Sequence, residues 1–145
     1  MTMRDSVKDK APPPAPEPVN RLPLVLDIFG RMMSLVMMLL GLRQWAIILG
    51  VIAGGGGMFE DMSTPWKIAT MHLAVVDLVA SVGLWQRVAW GNVVWIYAAG
   101  AEIAMHTVFI ATYGADYLVV GFHVLTIAVF VALTILERRA APAAT

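Results

Sequence analysis

Residues 93–112 read VVWIYAAGAEIAMHTVFIAT, an apolar run that carries Glu102 at its middle and His106 four residues on. Three more runs of this kind occur at Met32–Ala53, Ile68–Leu84 and Leu118–Leu136. Each approaches the roughly 20 residues that a helix needs to cross a hydrocarbon core about 30 Å thick. Backbone groups inside lipid must be satisfied within the segment, so such runs are helical. The expected fold is an all-α membrane protein, an antiparallel four-helix transmembrane bundle. Its spans are expected at about 32–53, 66–84, 93–112 and 118–136.

The bulk composition agrees. Of 145 residues, 59% are hydrophobic and only 14% charged, and four spans leave too little chain for a soluble domain. Formal net charge is zero, which gives no electrostatic support for nucleic-acid binding. The absence of cysteine excludes disulfides, thiolate metal sites and cysteine nucleophiles. Residues 1–20 hold the run Ala11-Pro12-Pro13-Pro14-Ala15-Pro16-Glu17-Pro18, which disfavours helix and suits an extended, disordered cytoplasmic tail. Its mixed charges and late first apolar run do not resemble a cleaved signal peptide. The membrane domain is expected over 21–139, with residues 140–145 a second disordered tail. Arg21–Arg31 suits an interfacial lead-in helix to the first span.

Connections are short. Gly54-Gly55-Gly56-Gly57 should stop the first helix, and Thr64 with Pro65 should start the second. The glycines are no phosphate loop, since no Lys-Ser/Thr follows them. Trp85–Asn92 and Tyr113–Tyr117 make the other two links, tight enough to set neighbouring helices side by side and antiparallel. Arg4, Lys8, Lys10, Arg21, Arg87, Arg138 and Arg139 fall on one side of this topology, and Glu60, Asp61 and Asp116 on the other. The positive-inside bias then puts both termini in the cytoplasm. Trp85, Trp90 and Trp95 are expected at the inner interface, and Trp66, Tyr113 and Tyr117 at the outer.

The informative residues are polar ones inside the spans. Counting about 1.5 Å per residue places His72, His106 and His123 roughly 4–6 Å to the outer side of the midplane. Glu102 falls near the midplane, Asp77 slightly inward, and Arg43 close to the middle of a first span taken as Met32–Ala53. Glu102 and His106 share a helical face, within hydrogen-bonding reach. Beside them, Ala98, Ala99, Gly100 and Ala101 leave room for a close helix. His72 and Asp77 are about 140° apart around their helix and cannot both face one bundle centre.

Three readings of this set stay open. A charge left uncompensated at mid-bilayer costs about 3 kcal/mol, so the groups can simply satisfy one another, Arg43 pairing with Glu102 or Asp77. Two carboxylates and three imidazoles can also relay a proton or cation through the membrane. Imidazoles on facing helices can hold haem or a divalent metal, although Glu-x-x-x-His is not the Glu-x-x-His of di-iron bundles. Met32, Met33, Met37 and Met38 read as apolar filler rather than copper ligands. Gly50 and Gly54 have small-xxx-small spacing, which suits packing of helices or subunits and equally a helix fraying into the glycine loop.

From about Pro65 to Arg139 the chain resembles a family of small, uncharacterised four-span inner-membrane proteins of alphaproteobacteria. The likeness lies in Gly83-Leu84-Trp85, Ala89-Trp90-Gly91, Val94-Trp95, Glu102 and His123. The resemblance implies an inner-membrane location, draws attention to Glu102 and His123, and brings no assigned activity. The expected role is that of an accessory or structural protein acting by helix contacts in the lipid bilayer. A second copy or another membrane protein is its expected partner. Its alternative is a proton or ion conduit using Glu102, Asp77 and the histidines, or else a haem- or metal-binding redox carrier. No enzyme constellation, bound metal or cofactor is expected.

Overall fold

The computed structural model describes residues 21–140. Both expected tails, 1–20 and nearly all of 140–145, lie outside the described residues. Four long helices carry the fold: α1 (Leu22–Ile48), α2 (Thr64–Trp85), α3 (Ala89–Thr107) and α5 (Tyr117–Ala140), with a short α4 (Ile110–Tyr113) after α3. There is no strand among the described residues; only a single bridge joins Gly54 to Gly57. The long helices form a ring in which α1 packs on α2, α2 on α3, α3 on α5 and α5 back on α1. The end carrying Arg21 and Ala140 is the terminal end, and the opposite one is the glycine-loop end.

The first helix differs from expectation. The lead-in and the first span are one continuous helix that begins at Leu22 with Pro23 in its first turn and stops at Ile48. Gly50 follows with φ +71°, a left-handed geometry that glycine adopts at no steric cost. The Gly50–Gly54 spacing therefore lies beyond the helix and is not a helix-packing face. Arg43 is correspondingly five residues from the end of α1, not at its middle. The second helix also starts differently: Thr64 is its first residue, the preceding Ser63 is extended, and neither supplies a side-chain cap.

Close helix approach sets the register. Gly41 lies against Leu78, and the Ser34 hydroxyl donates to the Ser81 carbonyl at 2.8 Å, fixing α1 on α2. In the α2–α3 turn the two backbones touch: a Cβ built on Gly91 would lie 2.6 Å from the Gly83 carbonyl oxygen. The turn closes with the Val88 N–H donating to the Gly83 carbonyl at 3.2 Å. Arg87 sits there at φ 57°, in the region that favours glycine. Its guanidinium pairs with Asp27 of α1, tying the turn to the first helix. The start of α5 is set by Asp116, whose Oδ1 accepts from the Leu118 and Val119 N–H groups at 3.1 Å each.

The core is Met33, Met37, Ala80, Leu84, Trp95 and Ala98, flanked by Phe29, Phe122 and Phe130. Met33 and Met37 turn inward while Met32 and Met38 are exposed, so the methionine run fills space on one face only. Trp95 is fully buried between Phe29 and Phe130, whereas Trp85 and Trp90 are exposed. It belongs to the core rather than to the interfacial belt expected for it. Three helices, α1, α2 and α5, are long and apolar enough to cross a membrane. The fourth long helix, α3, carries Asn92, Glu102 and His106.

Candidate functional site

Of the six side chains singled out from the sequence, two meet directly. Glu102 on α3 and His123 on α5 approach at 3.2 Å between Oε2 and Nε2. The contact is a hydrogen bond between a carboxylate oxygen and a ring nitrogen. His123 is 1% exposed, so α5 spends its one fully buried position on this contact. The Asp116 cap and the α3–α5 packing put position 123 opposite 102; spacing along one helix cannot do so.

His106 does not take the expected same-face bond to Glu102. Its Nδ1 lies 3.0 Å from the carbonyl oxygen of Gly114, across the break between α3 and α5. That break opens at Thr107, whose hydroxyl donates back to Ile103 at 2.6 Å, and Gly114 completes it with φ 78°. His72 is exposed on the outer face of α2, where its Nε2 lies 3.0 Å from the Tyr97 hydroxyl of α3. The three histidines therefore serve three separate partners. Among the described residues no group of three or more His, Asp and Glu side chains converges in a way that could hold a metal ion.

Asp77 is fully buried, and neither carboxylate oxygen has a hydrogen-bond partner among the described residues. Glu102 is near enough for the two carboxylates to act on one another electrostatically. Arg43 pairs with neither. It is exposed at the glycine-loop end and lines a cavity of about 310 Å³ together with Gln44, Thr70, Glu102, His106 and Asp116. The self-satisfying core in which Arg43 neutralises a carboxylate is not formed, because the helix ends before Arg43 could reach mid-span.

The cavity has a built wall. Gly54 and Gly57 exchange backbone hydrogen bonds at 2.9 and 3.1 Å, a two-residue hairpin that lays Gly55 and Gly56 on the Trp66 ring. Trp66 in turn meets Tyr113 edge-on at 5.1 Å, and the Tyr113 hydroxyl donates to the Pro65 carbonyl at 3.2 Å. A Cβ at Gly55 would fall 2.6 Å from the indole and one at Gly56 2.7 Å from it, so these two positions are glycine because an aromatic ring occupies that space, whereas Gly57 has φ 93°. Gln44, Thr70 and Asp116 were not legible as cavity residues, since α1, α2 and the α5 cap meet only through tertiary packing. Glu102 thus lines the cavity and touches His123, which does not line it, while Asp77 is buried among the helices further from the glycine-loop end.

A model of the family of unknown function DUF6163 matches residues 24–141, and the chain belongs to that family. Neither a curated protein nor a solved structure matches it.

Proposed function

We propose that this member of DUF6163 is a multi-pass protein of the bacterial inner membrane, a four-span antiparallel bundle with both termini in the cytoplasm. The role we assign it is proton or cation handling at Glu102, without enzymatic turnover. The observation that carries this is the cavity lined by Glu102, which contacts His123, together with a buried Asp77 that has no hydrogen-bond partner among the described residues. Ionisable groups inside a membrane are expensive, and those without a neutralising partner mark ion or proton paths. A proton entering from the cavity exchanges on the Glu102 carboxyl and is shared with His123 Nε2. The Nδ1 of His123 and the Asp77 carboxyl, both buried and without a hydrogen-bond partner among the described residues, are the further groups this reading engages.

The orientation follows from charge. Arg21, Arg31, Arg87, Arg138 and Arg139 gather at the terminal end, whereas the other end holds Arg43 and Lys67 together with Glu60, Asp61 and Asp116. Cytoplasmic bias for arginine and lysine puts the cavity on the outer side. Reporter fusions at both termini should be active only for cytoplasmic reporters; a periplasmic C-terminus would reverse the assignment.

The functional test uses proteoliposomes of the full chain with a pH-sensitive dye trapped inside. Under an imposed potential, Glu102→Gln is expected to abolish dye-detected proton flux while leaving helicity unchanged. Equal flux in the two proteins would sink the conduit and favour a second reading, an accessory role through helix contacts. That reading draws on α5, which buries His123 alone and leaves Leu118, Leu125, Val131 and Leu136 exposed for lipid or for another membrane helix.

A further inference from the structure

The outer face of α2 and α3 carries a polar pair where a lipid-facing surface calls for apolar side chains. His72 stands near the middle of α2 and Tyr97 near the middle of α3, and both are exposed, Tyr97 by 55%. His72 Nε2 and the Tyr97 hydroxyl lie 3.0 Å apart, with the rings edge-on at 5.6 Å. Around them Ile68, Val75 and Val79 of α2 and Val93 of α3 are exposed as well, all apolar. Ile68, His72, Val75 and Val79 follow one another at steps of four, three and four, the spacing of a seam that packs against another helix. No helix among the described residues covers that seam.

The pair has hydrogen-bonding capacity left over, and its form does not depend on the tautomer. Where Tyr97 donates to Nε2, the Nδ1–H remains a donor and the Tyr97 oxygen still accepts. Where Nε2–H donates to Tyr97, Nδ1 is an acceptor and the hydroxyl hydrogen is free to donate. Either way one donor and one acceptor remain, with no further hydrogen bond to them among the described residues. Lipid tails can satisfy neither. One donor beside one acceptor is complementary to the same face of a second copy turned by 180°. Two copies inserted with the same topology share a two-fold axis along the membrane normal. That axis sets His72 of one copy level with Tyr97 of the other, since the two are already level within one chain. We propose that α2 and α3 form a homodimer face on which each His72–Tyr97 pair hydrogen-bonds the pair of a second copy. This rests on the membrane-spanning reading above and not on proton handling at Glu102.

The chain contains no cysteine, so introduced ones report alone. On this axis α2 of one copy faces α3 of the other. Full-length Val75→Cys and Val93→Cys chains carrying different tags, co-reconstituted in liposomes, are therefore expected to form a mixed disulfide dimer on oxidation. Leu125→Cys, on the exposed face of α5, should not cross-link with itself. Tyr97→Phe should weaken association about tenfold with helicity unchanged, because two interhelical hydrogen bonds are lost per dimer. Energy transfer between labelled copies at rising lipid dilution reads that loss. The cross-linking arm leaves the pair intact and decides the matter if Tyr97→Phe does not insert. Resistance to carbonate extraction tests insertion separately. Inserted chains that give no mixed dimer, that cross-link through Leu125→Cys instead, or that associate as well with Tyr97→Phe overturn the homodimer face alone. Chains released by carbonate overturn the membrane reading and this proposal with it.

Discussion

Gly91→Ala is expected to destabilise the protein by about 3 kcal/mol, at the upper end of what overpacking costs. The added methyl has no side chain to push aside. It meets the Gly83 carbonyl oxygen at 2.6 Å and the Leu84 amide nitrogen at 2.6 Å, all backbone atoms of the α2–α3 turn. Relief requires the two helices to separate, and that would also break the Val88 to Gly83 hydrogen bond and move Arg87 away from Asp27. Gly100→Ala is the matched control, because a Cβ there meets nothing within 4 Å. It should be neutral or stabilising by up to about 1 kcal/mol through helix propensity. Loss of helicity during denaturant titration of the detergent-solubilised chain reads both changes. Equal behaviour of the two variants would refute the close backbone approach.

Asp77→Asn should act in the opposite direction and stabilise the fold by roughly 1–3 kcal/mol. The carboxyl is fully buried with neither oxygen hydrogen-bonded, and Glu102 adds repulsion whenever both are ionised. An amide of the same shape removes the charge and its desolvation cost while keeping the packing. If Asp77 receives the proton passed on from Glu102 and His123, the stabilised variant should also lose flux in proteoliposomes. A gain in stability with a loss of transport is the signature of a residue kept for work rather than for folding. A destabilised Asp77→Asn would mean that the carboxylate has a partner it needs.

Much of the helical layout was readable from apolar run length alone. The second and fourth helices fall within a few residues of expectation, because glycine, proline and tryptophan mark their ends. The first was misplaced for a physical reason: Leu22, Leu24, Val25, Leu26 and Ile28 continue the apolar pattern across Asp27, so nothing local separates a lead-in from a span. Shifting that helix moved Arg43 to its end and removed the expected neutralising pair. Glu102 and His123 were both singled out, yet Glu102 was assigned His106 as its neighbour. Spacing along one helix reveals only same-face pairs, whereas the real contact depends on how α3 and α5 are set against each other. Trp95 was equally ambiguous, since an indole suits an interface or a core, and only the flanking Phe29 and Phe130 decide it.

The carboxylate of Asp27 is claimed by Arg31 and Arg87 together, and one negative charge balances only one of them. Arg138 and Arg139 close the last turn of α5 at the same end of the helix ring. That rim therefore carries surplus cationic charge, which anionic head groups are suited to neutralise at about 1 kcal/mol per basic residue. In the membrane setting proposed above, anionic lipids are expected to form a belt around this end, loosened by salt, so that lipid composition would set how firmly the first helix is held against the turn.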